Sequence, residues 1–125
     1  MRTMILAILA AIAVLAYAGA AAAHPATEQY IPIGQSPGPG LVEGRAGAVA
    51  EPANDGPAIV SVVDAASAEI GAYVVTPQTR IYVDRSAQRL PSLVGTIADV
   101  QPGRVIEVRI ADPATRAAEW IKVRP

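Results

Sequence analysis

The chain contains no cysteine and a single histidine, His24. The lack of cysteine excludes disulfide bridges, thiolate nucleophiles, thiolate metal sites and the lipid-attachment cysteine of bacterial lipoproteins. Because the one histidine stands beside a predicted cleavage position, neither a Ser–His nor a Cys–His nucleophile pair can be assembled. Hydrolysis by a catalytic triad is therefore excluded.

Large side chains and an excess of charge are also lacking. Phenylalanine is absent, and the aromatic residues are four tyrosines and Trp120 in a chain of 125 residues, which bounds the protein to one small domain with a modest core. All eleven acidic residues follow residue 23, against nine of the ten basic ones, so this part carries a net charge of −2. A small negative net charge attracts neither nucleic acid nor acidic lipid, and no nucleic-acid partner is expected.

Motifs of cofactor chemistry are missing as well. The sequence has no glycine-rich phosphate loop, Walker motif, dinucleotide fingerprint or calcium loop. Its carboxylates are spaced like turn formers and solvated strand residues, and nothing in that spacing assembles an acid–base pair. We therefore expect a protein that is not an enzyme and binds no cofactor.

What the chain does contain is an N-terminal segment with the three regions of a secretory signal. Arg2 supplies the positive charge, residues 5–15 form an unbroken apolar run, and residues 17–23 are mostly small. This pattern predicts export of the protein, either to the periplasm or out of the cell. Residues 1–23 are accordingly assigned to a signal peptide.

Cleavage is predicted between Ala23 and His24, and cleavage after Ala20 is an alternative. Residues 4–23 are uncharged and long enough to span a bilayer, so an uncleaved anchor, the only expected membrane contact, stays open. A terminal amine beside His24 offers two ligands to copper, but there are no further imidazole or thiolate ligands, and Pro25 lacks the next backbone N–H. We expect no metal site.

Residues 24–57 are rich in proline, glycine and alanine, a composition that predicts a mostly irregular lead. Within it, Tyr30, Ile31, Pro32 and Ile33 form a run denser in apolar groups, with an extended backbone at the proline. This run is either a linear motif for a partner protein or a segment that covers apolar surface on the protein's own domain. We favour the second interpretation.

From residue 58 onward the hydrophobic pattern is that of short strands. It predicts strands over residues 58–64, 69–75, 79–84, 104–110 and 119–123. Between the third and fourth, apolar residues recur at three- and four-residue steps, and Thr96 is placed to cap a short helix ending at Val100. The predicted fold is mainly β: a small five-stranded OB-like barrel, residues 58–125, with one short helix between its third and fourth strands.

Part of this domain resembles a known family. The stretches TPQTRIYVDR, LVGTIADVQPGRVIEVRI and AEWIKV, within residues 76–123, are similar to exported bacterial domains of unknown function that are predicted to form OB-like barrels. The shared pattern is a Thr-x-Arg-Ile-x-Val strand, a helix and strand joined by a Pro-Gly pair, and an apolar closing strand. The resemblance implies the barrel and carries over no catalytic residue. The chain departs from the pattern in residues 84–92 and 112–119, where the loop lengths differ.

A surface of possible function follows from the alternation of the strands. Five side chains are predicted to point away from the aliphatic core: Arg80, Tyr82, Arg109, Trp120 and Lys122. Aromatic rings among cationic groups are how OB barrels hold sugars and nucleic acids, although such residues also serve only for solvation or sit under a loop.

The predicted function is that of a non-catalytic exported envelope protein, a protein-interaction or structural module with an envelope protein as its partner. The alternative is a module that binds a glycan or another anion on the aromatic and arginine face. An unrecognised enzyme is the third class, and it would need a cleft that gathers two or more carboxylates beside an arginine.

Overall fold

The computed structural model describes residues 28–51 and 56–125, and strands account for nearly all of their regular structure. The predicted signal segment, with Ala23 and His24, lies outside these residues. The strands are β1 (Leu41–Ala50), β2 (Ala58–Val63), β3 (Glu69–Val75), β4 (Arg80–Val83), β5 (Leu93–Val94), β6 (Val105–Asp112) and β7 (Ala117–Val123).

Five of these strands close into a barrel. β1 pairs with β2 on one side and with β6 on the other, β2 pairs with β3, and β6 pairs with β7, all antiparallel. A parallel contact between Val74 of β3 and Ala117 of β7 completes the ring. The prediction of a mainly β protein with a five-stranded barrel is confirmed.

The two remaining strands extend the sheet beyond the ring. β4 runs parallel to β7, with Arg80 opposite Trp120 and Val83 opposite Val123, and β5 pairs antiparallel with β4. In the resulting strand order, β5 is the end member and is paired on one side only within the described residues. Both residues of β5, Leu93 and Val94, are exposed apolar side chains.

The expectation of an irregular lead up to residue 57 is wrong for Leu41–Ala50, which form the ten-residue strand β1 in the middle of the sheet. Glycine is required here by a close approach of strands, because a Cβ at Gly44 would lie 2.5 Å from the carbonyl oxygen of Val63. The pairing with β2 also shifts register between Ala46 and Val49. Small residues and a bulge thus give this barrel strand a composition that is typical of a linker.

The five predicted strands all exist, but they do not coincide with the five strands of the ring. The predicted third strand, residues 79–84, corresponds to β4, which lies outside the ring. The fifth strand of the ring is β1 instead. Each boundary of the others falls within two residues of the prediction. Alternation therefore identified the strands, and only the pairing decided which of them close the barrel.

The single short helix predicted between the third and fourth strands is not confirmed. Two 3₁₀ turns, Ser86–Gln88 and Ile97–Asp99, occupy that stretch instead. At the second, the carboxylate of Asp99 accepts a hydrogen bond of 2.8 Å from the backbone N–H of Thr96. Thr96 is the N-cap of this turn, as expected, but the turn does not continue into a longer helix.

The barrel core is made of β-branched residues. Fully buried members include Val60, Val62, Ile106, Val108, Ile121 and Val123, and Tyr73 adds a ring to them. Each such aliphatic side chain stabilises the fold by about 1.5–3 kcal/mol relative to an exposed one. A small barrel filled by such side chains needs no disulfide, which fits the absence of cysteine.

Candidate functional site

The five side chains predicted for a ligand face are neighbours on the outside of the sheet. The strand register places them in two adjacent rows across β4, β7 and β6: Arg80, Trp120 and Arg109 in one, Tyr82, Lys122 and Glu107 in the other. The alternation of the strands therefore brought together the residues that it predicted to share a face. Glu107 joins them as a carboxylate that the sequence did not single out.

This outer face is not open, because residues 28–36, here called the strap, cross it. Beneath the strap, Tyr82 and Lys122 are buried and only 1% of Trp120 is exposed. The indole therefore offers no free ring face to a sugar or a base. In the structure, the strap follows the interpretation in which it covers the protein's own barrel.

Lys122 is the central contact of the strap. Its Nζ donates hydrogen bonds to the carbonyl oxygen of Ile31 at 2.7 Å and to the hydroxyl oxygen of Ser36 at 3.1 Å. Burial lowers the pKa of Lys122, and the negative charges of Glu107, Glu28 and Asp84 oppose that shift. A buried ammonium group is tolerated here because the strap supplies acceptors for it.

Glu107 binds the strap from the neighbouring strand. Its carboxylate accepts a hydrogen bond of 2.9 Å from the backbone N–H of Gly34 and one of 3.1 Å from the hydroxyl of Ser36. Gly34 has a φ of 89°, a conformation that glycine adopts without strain. Ser36 therefore connects Glu107 to Lys122, and two opposite charges share one hydroxyl beneath the strap.

Asp84 anchors the middle of the strap at the end of β4. Its Oδ2 accepts a hydrogen bond of 2.9 Å from the backbone N–H of Ile33, whose side chain is 4% exposed. Burial alone would raise the pKa of Asp84, but hydrogen bonds from Ile33 and Ser86 and the charge of Arg124 outweigh it and hold the pKa below its usual value. The aspartate is therefore ionised when the strap is docked at neutral pH.

The beginning of the strap is held by an ion pair on β4. Glu28 accepts hydrogen bonds from Arg80 at 3.1 and 3.3 Å in a two-pronged arrangement. Burial raises the pKa of Glu28 in spite of the arginine, and burial together with the charge of Glu28 raises the pKa of Tyr82 to about 12. Two of the predicted ligand-binding residues, Arg80 and Tyr82, thus interact with the strap.

Trp120 and Arg109 are engaged in the same way. The ring of Trp120 lies between two cations, with Lys122 Nζ 4.5 Å and Arg109 Cζ 5.6 Å from its centroid. The guanidinium of Arg109 donates to the carbonyl oxygens of Pro37 and Pro39 and lies 3.7 Å from the carboxylate of Glu119. Its charge is therefore already matched.

A cleft of about 410 Å³ remains between the strap and β7. Its lining includes Glu28, Ile31, Ser36, Arg109, Glu119 and Trp120. The charge of Glu119 contributes to raising the pKa of Glu28, but each of these carboxylates also pairs with an arginine. The cleft therefore has the arrangement named above for an unrecognised enzyme, two carboxylates beside an arginine, with both carboxylates paired to cations.

Exposed apolar side chains flank the β5 edge. Val94, 74% exposed, lies on the face of Tyr82, and Leu93, 47% exposed, lies on the opposite face with Val83, while Leu90 precedes β5. Tyr30 of the strap, also exposed, follows Gln29, whose side chain donates a 3.0 Å hydrogen bond to the carbonyl oxygen next to Leu93, that of Ser92. We call Tyr30, Leu90, Leu93 and Val94 the edge patch.

The sequence located these residues but assigned them to other structures. Leu90, Leu93 and Val94 belonged to the three- and four-residue apolar spacing that precedes the predicted helix, which begins at Thr96, and no strand was predicted there. The predicted partner motif is divided: Ile33 is buried on the barrel, Ile31 and Pro32 are half-buried, and Tyr30 faces solvent. An unpaired strand edge leaves no signal in hydrophobic spacing.

Among residues 28–51 and 56–125, no three potential ligands from histidine, cysteine, aspartate or glutamate are grouped as a metal site would require. The same residues contain no helix that is both long and apolar enough to cross a membrane. Comparison of the chain with protein-family models, curated proteins and solved structures gives no match.

Proposed function

We propose that the chain is a non-catalytic exported envelope protein, periplasmic or secreted, whose OB-like barrel serves as a protein-interaction module. The observation that carries this proposal is the edge patch. Exposure of large apolar side chains to water on an edge strand is unfavourable in free energy and is typical of surfaces that contact another protein.

The OB-like assignment is supported by the strand connections. β1, β2 and β3 form consecutive antiparallel pairs, and the chain then crosses to β6 and β7 so that β7 runs parallel beside β3. A five-stranded Greek-key barrel of this kind is the OB architecture. The family of exported domains that residues 76–123 resemble is also predicted to form such barrels.

The interaction surface has two components. The backbone edge of β5 is available for pairing with an extended strand of a partner, and the side chains of Leu93 and Val94 supply apolar area beside it. Tyr30 adds an aromatic ring of the type that is enriched in interface centres. The proposed partner is an envelope protein that adds a strand to this edge.

The test compares the same substitution at two exposed aliphatic side chains. Val94→Asp places a charge in the edge patch, whereas Ile70→Asp places one at a side chain that is 48% exposed on β3 of the barrel. Affinity purification from envelope extract with each variant is expected to lose one protein with Val94→Asp and to keep it with Ile70→Asp. Equal partner sets for both variants would contradict the proposal.

A ligand-binding module for a glycan or another anion is the second candidate, and the cleft beside Trp120 and Arg109 favours it. Entry of such a ligand would require the guanidinium of Arg109 to leave the Pro37 and Pro39 carbonyl oxygens. Titration of envelope glycans should then quench Trp120 fluorescence in the native protein and fail to do so in Arg109→Ala. Unchanged fluorescence across a glycan library would exclude this function.

A further inference from the structure

We propose that the strap also docks on a second copy of this chain, so that two chains form a dimer by exchanging residues 28–36. The occupant of the groove on β4, β7 and β6 is then the strap of the other molecule. This inference is argued from the contacts beneath the strap and not from the edge patch, although Tyr30 belongs to both.

The contacts between the strap and the barrel do not require that both belong to the same molecule. Its hydrogen bonds to the barrel join residues between 51 and 91 positions apart, from Ile33 with Asp84 to Ile31 with Lys122. Four of them are made by barrel side chains to backbone N–H and carbonyl groups of the strap, and Ile33 supplies a buried apolar anchor. The same groups would be met by an identical strap arriving from another molecule.

If the strap leaves its own barrel, the buried charged groups beneath it lose their hydrogen-bond partners, and a second strap would restore them. Lys122, Glu107 and Asp84 are each at most 2% exposed, and each has hydrogen bonds to the strap. An exchanged dimer keeps all of these bonds in both grooves. The equilibrium between monomer and dimer is therefore set by the hinge and by the entropy of association.

The hinge is the sequence Pro37-Gly38-Pro39-Gly40, between the strap and β1. Pairing with β6 is fixed from Gly40 onward, because its carbonyl oxygen accepts a 2.8 Å hydrogen bond from the N–H of Ile110. In the closed form Gly38 has a φ of 94°, a backbone conformation that glycine adopts without strain but that other residues adopt only at a cost. An extended hinge would carry the strap away from its own barrel and towards another.

The first test uses the ion pair of Glu28 and Arg80. Glu28→Arg and Arg80→Glu each place like charges together in a closed monomer, but an exchanged dimer of one chain of each variant has opposite charges in both grooves. Mixing the full-length variants should give a heterodimer at least about tenfold more stable than the dimer of either variant alone. Size-exclusion chromatography with light scattering and mass spectrometry measures this.

The second test alters the hinge and has a matched control. Gly38→Ala strains the closed hinge, because residue 38 has a positive φ there. Gly103 has nearly the same backbone conformation, with a φ of 90°, but lies far in sequence from the hinge and has open space around it, so Gly103→Ala is the control. Gly38→Ala should raise the dimerisation constant about tenfold, and Gly103→Ala should leave it unchanged. Monomers at all concentrations for the wild type, the mixture and Gly38→Ala, or dimers equally stable in each charge variant alone, would overturn the proposal.

Discussion

Three ionisable residues are buried on the outer face of the barrel, where charges ordinarily meet water. Lys122, Glu107 and Asp84 lie under the strap, and their charges are met by strap hydrogen bonds rather than by solvent. Removal of one member leaves the others with unsatisfied partners in a poorly solvated place, which costs more than the loss of a surface charge. Single substitutions here should therefore have large effects.

Lys122→Met is expected to lower the free energy of unfolding by about 2–4 kcal/mol, because the Ile31 carbonyl and Glu107 would stay buried without the ammonium group. Urea unfolding monitored by Trp120 fluorescence measures the change. Arg89→Met, at an exposed cation, is the control and should change the stability by less than about 0.5 kcal/mol. Equal stability of both variants would show that Lys122 is not a structural contact.

Acid should weaken the fold through Asp84. Because its pKa is lower in the folded than in the unfolded chain, the ionised carboxylate stabilises the protein above its ordinary pKa of 3.8, and this contribution is lost as the pH falls through the folded value. Glu28 acts oppositely, since its pKa is raised by folding.

The measurement is therefore a difference between two proteins. The gap in unfolding free energy between wild type and Asp84→Asn should be constant above about pH 5 and should shrink as the pH is lowered towards 2. Equilibrium urea denaturation at a series of pH values provides both curves. A gap that does not depend on pH would mean that folding leaves the pKa of Asp84 unchanged.

At the scale of elements, the strap and β1 are the parts that the composition misrepresents. Both lie in the proline- and glycine-rich lead, yet the strap is docked along residues 28–36 and β1 lies between β2 and β6. Glycine serves here for close strand approach at Gly44 and for positive φ at Gly34 and Gly38. The glycines therefore allow ordered backbone, which a linker does not need.

Docking of the strap should depend on its one buried aliphatic side chain. Ile33→Ala is expected to cost about 2–4 kcal/mol and to speed hydrogen exchange at the amides of residues 33 and 34, which bond to Asp84 and Glu107. Tyr30→Ala removes a side chain of the same strap that is 61% exposed and should leave both quantities unchanged. Unchanged amide protection in Ile33→Ala would refute an apolar anchor for the strap.

At the scale of the whole molecule, the described part is one barrel with its own N-terminal segment wrapped over one face. The wrapped face takes the residues that resemble a ligand site, and the adjoining end of the extended sheet, at β5, keeps apolar side chains in solvent. This division favours the edge patch over the aromatic face as the place where another molecule binds.

The proposed export belongs to the same scale, because it would decide which molecules the edge patch can meet. When the chain is expressed from Met1 in a bacterium, the protein recovered outside the cytoplasm should begin at His24, as determined by N-terminal sequencing and intact mass. A substitution of Ala23 by a large residue should shift cleavage to Ala20 or abolish it. Recovery of a chain that begins at Met1 in the membrane fraction would instead show the anchor.

The sequence by itself determined five of the seven strands of the described residues and the faces of their side chains. Strict alternation in β4, β6 and β7 placed Arg80, Arg109 and Trp120 on one side of the sheet, because a residue's face follows directly from a period of two. It also excluded disulfide and thiolate chemistry, since that depends only on which residues are present.

Only the tertiary structure decided which strands close the barrel and whether the outer face is open. Pairing of β1 depends on the approach of Gly44 to Val63, and burial of Trp120 depends on a strap that is more than 80 residues distant in sequence. Such contacts join distant segments and leave no local period in the sequence, so composition alone described the lead as a linker. For the same reason, the pattern within the strands could not predict whether the site is exposed, because the strap that covers it comes from a distant part of the chain.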